Sequence, residues 1–535
     1  MSIPNGRPSS DRPGAAWSAA IFLVLLVAYL SNGDVLPGND AKPNVYLALS
    51  AIHDHDLSFT PSEMPFMFAW TLSRAGEAIT VHPRSWGQRY EGRTFAEWRD
   101  SGQLEPAGGK YYIVPSRKAG RYVSMYGPGA GLTAVPAFAV AELVFGDLAA
   151  RPRALWYTAK VTASVLVAGS AVLLFLALLT YTDRARAALL ALTYGLGTCV
   201  WSTSSQTLWQ HGPNVFFLSL GTFLFLRAPL GRWAAAGCGL SYAVATACRP
   251  NSALVLVAVG AYLLWSSRKQ LVPFGLGAAG PLVLLAAFNV QHHGSPIRFG
   301  QTLRGAAEAE AITGAPGAWH TPLLEGLAGH LVSPSRGLMV FSPFLLLALW
   351  GVWRIWRDGT YFKLRPLSVA VVAILLLSSK WYYWWGGWSF GYRLIVDITV
   401  LLALFVAPVV DDVFRRKWTL AIFMTLVAWS VGVQVLGAFA YNLRDWNARV
   451  AGYAVQVPGR QAPEIVADRP AADRLIESSG GRVAGVVRLD VNSLEHRHRL
   501  WSWRDQQIGY YLRNFAPSRR VKRQMMQRWF DDPGI

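Results

Sequence analysis

Long runs of apolar residues alternate with short polar and basic segments over most of the chain. The first run covers 17–31, and others fall at about 155–180, 187–204, 213–227, 233–249, 251–266, 271–289, 338–353, 366–380, 394–411 and 418–440. Most of these runs approach the roughly 20 residues that a helix needs to cross a bilayer. The pattern therefore predicts an all-α polytopic membrane protein with about eleven transmembrane helices.

Basic residues collect in every second loop between these runs. In chain order the loops contain Arg184 and Arg186; Arg227 and Arg232; Arg268 and Lys269; Arg354, Arg357, Lys363 and Arg365; and Arg415, Arg416 and Lys417. Lys and Arg accumulate in cytoplasmic loops, so the N-terminus is predicted to be cytoplasmic and the C-terminus periplasmic or lumenal. This orientation requires Gly127–Phe145, with its internal Pro136, to lie on the membrane surface, because an additional span there would place Arg184 outside.

Two polar stretches divide the chain. We expect a cytoplasmic tail at 1–16, a transmembrane module at 17–440 and a small outer C-terminal domain at 441–535. Residues 32–154 form a first outer loop with juxtamembrane helices, because the polar part of this segment is too long for a simple connector. In the C-terminal domain the valine-rich piece 483–491 predicts β-strands.

The composition agrees with a membrane protein. Only 15% of the residues are charged and mean hydropathy is +0.27, whereas a soluble domain has roughly 25% charged residues. The net charge of +19 is explained by the basic loops and by contact with anionic lipid, so we expect membrane lipids and no nucleic acid as partners. Cys199, Cys238 and Cys248 lack metal-ligand spacing and are expected to pack in the core.

The polar and aromatic residues that could carry chemistry lie at the ends of apolar runs. Six such segments, at 34–40, 126–129, 209–212, 249–251, 333–337 and 384–393, fall on the same side in the predicted topology. Ionisable residues in a membrane are costly unless they face a cavity or a partner. The sequence therefore predicts a functional site on the outer face.

The first outer segment contains two candidate catalytic carboxylates. Asp34 and Asp40 follow the first apolar run, and a carboxylate at the boundary between water and lipid can act as a general base on a hydroxyl group. The alternative is a structural role in a turn or a helix cap, and spacing alone does not separate the two residues. The pattern His53 to Asp56 resembles a metal cluster, but alternating neighbours rarely converge on one ion.

Several of these segments carry cations suited to a phosphate. The candidates are Lys118, Arg121, His211, Arg249, Arg336 and Arg393; Gly and Pro beside most of them free backbone N–H groups that also bind anions. Helix capping, contact with lipid head groups and a structural histidine are the alternatives. Candidate substrate contacts are Tyr126, Trp209, Gln210, Asn251, Trp385 and Trp388, because aromatic faces stack on sugars as well as on lipid. The glycines at 386 and 387 favour a site over a simple interfacial aromatic belt.

The pattern resembles the GT-C superfamily of integral membrane glycosyltransferases, in particular bacterial members related to the protein mannosyltransferases and the lipid A aminoarabinose transferases. The resemblance covers roughly 15–440 and is carried by the segments 40–50, 122–129, 208–212 and 385–393. It implies a bacterial inner-membrane enzyme that takes a sugar from a polyprenyl-phosphate donor, with inversion, and transfers it to a hydroxyl group of an envelope glycan, glycolipid or protein.

The resemblance also implies residue roles. An acidic residue in the first outer loop is the base of the superfamily, and Asp40, followed by Pro43 and an apolar helix start, matches that position better than Asp34 does. Arg249, Arg336 or Arg393, with His211 nearby, would hold the donor phosphate. Ala41 stands where the mannosyltransferases have the second residue of an Asp-Glu pair, which leaves acceptor class and any need for Mg²⁺ or Mn²⁺ open.

Two other functions remain as alternatives. A flippase or transporter of polyprenyl-linked glycans would also need cations near a phosphate, but it should show polar residues in the middle of several spans. An oligosaccharide ligase or polymerase of the same superfamily is the nearest enzymatic alternative. A scaffold without activity would not need Arg, His and Asp on one face.

Overall fold

The computed structural model describes residues 12–36, 38–74, 77–81, 87–314 and 316–531. Helices dominate, and four small antiparallel sheets lie in the segments before and after the helical bundle. The prediction of an all-α protein is therefore too narrow, because the polar stretches 59–124 and 448–490 contain strands.

The N-terminal region consists of one long apolar helix and a compact outer segment. Its elements are α1 (Arg12–Leu30), α2 (Lys42–His53), β1 (Phe68–Arg74), β2 (Glu77–Val81), β3 (Arg89–Tyr90), β4 (Arg93–Thr94), α3 (Phe95–Asp100), β5 (Leu104–Gly109), β6 (Ile113–Pro115), β7 (Tyr122–Ser124) and α4 (Gly129–Phe145). Strand β1 lies between β2 and β5 in an antiparallel sheet.

Helices α2 and α4 pack against each other and against the bundle. A Cβ atom added at Gly131 of α4 would lie 2.9 Å from the backbone oxygen of Asn44, and one added at Gly127 would lie 2.5 Å from that of Ala247. These glycines therefore permit the close backbone approach. Whether α4 lies on the membrane surface stays a prediction.

The bundle begins with α5 (Pro152–Leu178) and ends with α18. The helices between are α6 (Arg184–Gly197), α7 (His211–Leu226), α8 (Arg232–Cys248), α9 (Ala253–Ser266), α10 (Arg268–His293), α11 (Gly300–Thr313), α12 (Leu323–Val332), α13 (Leu338–Phe341), α14 (Leu347–Arg357), α15 (Arg365–Lys380), α16 (Thr399–Leu404) and α17 (Ala407–Arg415), followed by α18 (Lys417–Phe439). Four helical segments of the described chain are long and apolar enough to span a membrane: Pro152–Leu178, Arg268–His293, Gly359–Lys380 and Lys417–Phe439. The protein is thus a multi-pass membrane protein, and the count of eleven spans stays a prediction.

Three of the predicted spans are interrupted. In the run at 187–204, α6 ends at Gly197 and Thr198 is extended before a short π-helical turn at Val200–Ser204. The run at 338–353 contains two short helices, because Ser342 leaves helical geometry and Pro343 starts a separate turn. The run at 394–411 bends by 61° between α16 and α17, next to Pro408 at the start of α17. In all three places a single predicted span contained a break in the helix.

Four of the five predicted basic loops meet at one end of the bundle. Arg186 Nη1 lies 2.7 Å from Asp411 Oδ1, Arg354 pairs with Asp412, and Lys363 Nζ donates to the carbonyl of Arg227 at 2.9 Å. The opposite end, which we call the site end, collects the six polar segments. The basic segments and the polar segments thus lie at different ends of the bundle, while the loop topology and the side of the membrane on which each end lies stay predictions.

The C-terminal region contains a sheet and three helices. These are β8 (Ala448–Gln456), β9 (Glu464–Val466), α19 (Arg469–Ser479), β10 (Arg482–Asp490), α20 (Gln507–Arg513) and α21 (Phe515–Asp531). Strand β10 confirms the strand predicted in the valine-rich piece and pairs antiparallel with β8. Helix α21 packs on the site end, where the Trp529 and Trp156 ring centroids are 5.0 Å apart. The domain boundary at 441 stays a prediction.

Candidate active site

A cavity of about 540 Å³ opens at the site end, between the bundle and the outer segments. Its lining comes from residues widely separated in sequence: Gly38, Asn39, Asp40, Tyr112, Met125, Tyr126, Trp209, Gln210, His211, Gln301, Arg304, Glu308, Trp381, Tyr382, Tyr383, Gly386, Gly387, Trp388, Arg393, Leu394, Leu443 and Asn492. Four of the six predicted segments, at 34–40, 126–129, 209–212 and 384–393, line the cavity directly. The other two, at 249–251 and 333–337, contact residues of these four. Its volume is that of a small-molecule binding site.

Asp40 and Arg393 form an ion pair in the cavity wall. Arg393 Nη1 donates to Asp40 Oδ2 at 2.6 Å and Nη2 donates to the Gly386 carbonyl at 2.6 Å. The guanidinium also lies 4.4 Å from the centroid of the Trp209 ring. Three contacts thus fix a cation beside the carboxylate, joining residues 353 positions apart.

The aromatic loop before Arg393 is held by a buried arginine. Gly386 and Gly387 have φ angles of +70° and +69°, a conformation that side chains disfavour. Arg336 donates to the carbonyls of Trp385 at 2.9 Å and Gly387 at 3.0 Å, and to Asn447 Oδ1 at 3.0 Å. Arg336 is therefore engaged in fixing the loop, and the structure places it outside the cavity lining.

His211 belongs to a buried group with Arg249 and Asp397. Its Nδ1 lies 3.1 Å from Asp397 Oδ1 and 2.9 Å from Arg249 Nη1, and Arg249 forms an ion pair with Asp397. Arg249 also donates to the Leu394 carbonyl at 3.2 Å. The charge of Arg249 is thus balanced within the fold, and only His211 of the three lines the cavity.

Asp34 lies in a different environment from Asp40. It is 2% exposed, its backbone carbonyl accepts a hydrogen bond from Lys160, and its Oδ1 lies 3.4 Å from Arg523 Nε on α21. Burial lowers the pKa of nearby Lys522 to about 8, which the charge of Asp34 partly opposes. Asp34 does not line the cavity, whereas Asp40 does. The structure thus distinguishes the two carboxylates, which sequence spacing alone did not.

Three other predicted residues also lie outside the cavity lining. Arg121 forms an ion pair with Asp56 and donates to Ser58 Oγ at 2.8 Å, and Lys118 is exposed beside it. The Oδ1 atom of Asn251 is buried and has no hydrogen-bond partner in the described part of the chain. The structure therefore does not bring these residues to Asp40.

The two predicted tryptophans of the loop take different positions. Trp388 lines the cavity and donates from Nε1 to Asp490 Oδ1 at 2.8 Å. Trp385 lies behind it, 2% exposed, with its ring centroid 4.4 Å from that of Tyr383 and its Nε1 donating to Asn492 Oδ1 at 3.0 Å. Tyr126, Trp209 and Gln210 line the cavity, and their contact with a substrate stays a prediction.

A second ion pair in the cavity was missed in the sequence. Arg304 Nε donates to Glu308 Oε1 at 2.6 Å on helix α11, and Tyr382 donates its hydroxyl proton to Glu308 Oε2 at 2.7 Å. The spacing of Arg304 and Glu308 could have predicted this pair, because Arg and Glu four residues apart lie on the same face of a helix. Tyr112 lies beside both pairs, and the charge of Asp40, together with burial, raises its pKa above the usual range.

One group of side chains in the described ranges has metal-ligand spacing. His53, Glu142 and Asp147 bring ligand atoms within 4.8 Å of one another, and His53 Nε2 lies 2.8 Å from Glu142 Oε1. The group joins the end of α2 to the end of α4 and shares no residue with the cavity lining. In the cavity both carboxylates are paired with arginines.

Comparisons of the chain with models of protein families and with curated proteins found no match. Among solved structures, the chain is similar to the crystal structure of ArnT from Cupriavidus metallidurans bound to undecaprenyl phosphate. The TM-score is 0.43 at 12% identity, covering 81% of this chain and 71% of that chain. The neighbour is a GT-C lipid A aminoarabinose transferase, the group that the sequence motifs resemble. A similarity of this extent assigns neither substrate nor reaction to the present chain.

Proposed function

We propose that this protein transfers a sugar from a polyprenyl-phosphate donor to a hydroxyl acceptor at the outer face of a bacterial inner membrane. The observation that carries the proposal is the Asp40–Arg393 pair, which lies in the wall of an aromatic-lined cavity at the end of a membrane bundle. A carboxylate and a fixed guanidinium are the two groups that such a transfer needs, one for the acceptor proton and one for the leaving phosphate.

Asp40 is the proposed base. The proton of the acceptor hydroxyl moves to Asp40 Oδ1, the oxygen not engaged by Arg393, while the acceptor oxygen attacks the anomeric carbon. The bond between that carbon and the phosphate oxygen breaks, and its electron pair stays on the polyprenyl phosphate. Attack opposite the leaving group inverts the anomeric centre. Holding both reactants in one cavity contributes by orientation.

Arg393 is the proposed phosphate ligand. Its contacts with Asp40, Gly386 and Trp209 hold the guanidinium in place before the substrate binds, so little reorganisation is needed when charge develops on the phosphate. His211 supports it, since only Nδ1 of its ring is engaged within the described residues. Arg249 and Arg336, which the sequence offered as equal candidates, act through positioning: one fixes His211 and the other fixes the aromatic loop.

An apolar groove beside the cavity supports a donor with a lipid tail. The groove, about 560 Å³, lies between α13, α14, α15 and α16, and its lining is almost wholly aliphatic or aromatic. Ile395 lines the groove while Leu394 and Arg393 line the cavity, so the two spaces meet at one stretch of chain. A prenyl chain in the groove would bring its phosphate to Arg393.

The test is transfer by the purified full chain. Undecaprenyl-phosphate donors with radiolabelled pentoses or hexoses are incubated with glycan, glycolipid and peptide acceptors. We expect a labelled product with wild type, and at least about a 10²-fold loss with Asp40→Asn at unchanged donor binding, because the amide cannot take the proton. Asp54→Asn, at the exposed end of α2, is the matched control and should match wild type. Full turnover by Asp40→Asn would refute the assignment of the base.

A further inference from the structure

The cavity contains two arginine–carboxylate pairs that differ in exposure. The inner pair, Asp40 and Arg393, has side chains that are 19% and 13% exposed, whereas those of Glu308 and Arg304 are 38% and 28% exposed. The transfer proposed above uses the inner pair alone. The outer pair is thus free for a second ligand contact in the same cavity.

The outer pair is held by packing on the aromatic segment. A Cβ atom added at Gly305 would lie 2.5 Å from Trp381 Cη2, and Ala309 on the next turn is fully buried against Trp381 and Tyr382. Helix α11 thus presents Arg304 and Glu308 to the cavity in a fixed orientation. Burial lowers the pKa of Arg304, but the hydrogen bond to Glu308 and the charge of that carboxylate outweigh burial and raise it, so the guanidinium keeps its charge.

Tyr112 separates the two pairs. The Arg304 guanidinium lies 4.8 Å from the centroid of its ring, and the charges of Asp40 and Glu308 both act on its hydroxyl. A ligand bound at the outer pair therefore lies near the base. The inner pair adjoins the apolar groove, while the outer pair lies on a polar helix of the segment between α10 and α12.

The chemistry of the outer pair suits a carbohydrate. Glu308 accepts hydrogen bonds and Arg304 donates them in a planar fork, which matches neighbouring hydroxyls of a sugar ring. The rings of Tyr112, Tyr382 and Trp388 offer faces for the C–H surface of that ring. A lipid chain would remove water from Arg304 and Glu308 without replacing its hydrogen bonds, whereas sugar hydroxyls replace them.

We infer that Arg304, Glu308 and Tyr382 form a subsite that binds the hydroxyl groups of a carbohydrate acceptor and presents one of them to Asp40. The inference rests on the proposed glycosyl transfer for its role in catalysis. The binding itself follows from the geometry of the subsite and can be measured without the donor.

The first experiment measures binding of methyl glycosides to the full chain by saturation-transfer NMR. We expect binding with wild type and Glu310→Gln, a matched control because Glu310 is exposed on the same helix. Glu308→Gln should weaken binding by roughly 10-fold or more, since a hydrogen bond to a charged group is lost. Tyr382→Phe removes only one hydroxyl and should weaken it by a smaller factor. Absence of glycoside binding, or equal binding by Glu308→Gln, would overturn the subsite.

The second experiment measures transfer from a labelled donor to a methyl glycoside, a serine peptide and a diacylglycerol. We expect transfer to the glycoside, with a KM for it raised at least about 10-fold in Glu308→Gln while kcat and donor binding stay near wild type. Transfer to the peptide or the diacylglycerol instead would refute a carbohydrate acceptor. If glycosides bind through Glu308 but no donor is turned over, the subsite stands and the proposed transfer falls.

Discussion

Asp34 and Asp40 are six residues apart, and the structure gives them opposite surroundings. Asp34 is enclosed near Lys160, Lys522 and Arg523, with its Oδ2 atom buried and without a hydrogen-bond partner in the described part of the chain. Asp40 is paired with one arginine and faces a cavity large enough for a substrate. Asp34 is therefore a buried structural residue, whereas Asp40 is accessible to a substrate in the cavity.

The difference comes from distant parts of the chain. The surroundings of Asp34 are completed by α21, whose Arg523 is 489 positions away, and those of Asp40 by Arg393. Between the two lies Gly38, where a Cβ atom would lie 2.8 Å from the Trp209 ring. The backbone of this segment thus determines the position of each carboxylate, and contacts with distant residues determine whether it is buried or accessible.

Replacing the partner of Asp40 should have the largest effect on the proposed transfer. Arg393→Ala removes the fixed cation, and we expect the rate of sugar transfer to fall about 10²–10³-fold. Arg393→Lys keeps the charge but not the fork, so it should recover only part of that loss. Single-turnover assays with a labelled donor measure both, and an Arg393→Ala rate within a few-fold of wild type would show that Asp40 works without this partner.

A substitution behind the cavity should instead reduce stability. Arg336→Lys removes the planar set of donors to Trp385, Gly387 and Asn447, and we expect a loss of about 2–5 kcal/mol in the free energy of unfolding because buried acceptors are left unpaired. Thermal unfolding followed by size-exclusion chromatography measures the shift. An unchanged unfolding midpoint would mean that the aromatic loop is held by other contacts.

Asp34→Asn should weaken the packing of α21 on the site end and leave the rate of sugar transfer unchanged. We expect the free energy of unfolding to fall by about 1–3 kcal/mol and α21 to be cleaved faster by proteases. The rate of sugar transfer per folded molecule should stay near that of wild type. The difference in unfolding free energy between wild type and Asp34→Asn should be largest below pH about 8, where Lys522 is protonated in the folded protein and interacts with the charge of Asp34. It should shrink as the pH rises through that value, because Lys522 then loses its charge. A loss of transfer larger than the loss of folded protein would return Asp34 to the candidate bases.

The smallest effect is expected at Lys118. It lies on the segment of Arg121, outside the cavity lining, so Lys118→Gln should change the transfer rate by less than about two-fold. Donor titrations in vesicles measure this. A ten-fold rise in the donor KM would show that the donor phosphate binds at this segment and not at Arg393.

The apolar pattern predicted most helices of the bundle, because a helix that spans lipid needs a long apolar run, but it missed α11 and α12. It could not predict the breaks at Ser342 and between α16 and α17, since the residues on both sides are equally apolar. Asp397 shows a signal that was missed: it is an acidic residue in an apolar run, and such a residue indicates a partner or a function. That partner is Arg249.

The site was predicted in part for a related reason. The residues at helix ends, such as Asp40, Trp209 and Arg393, were found because a polar residue next to an apolar run stands out. Arg304 and Glu308 were missed because their segment is polar throughout, so that no residue in it contrasts with its neighbours. Tertiary contacts with Trp381 and Tyr382 make that segment part of the cavity.

The docking of α21 has a consequence for the order in which the protein can mature. The backbone N–H of Val35 donates to the sulfur of Met526, and Lys522 donates to the carbonyl of Ala438. The segment after the first helix emerges early in synthesis but cannot finish folding until residues near 520 have been made and have docked on it. Until then the polar groups of this segment are solvated by water, so this wall of the protein is completed only after the chain of the bundle has been synthesised.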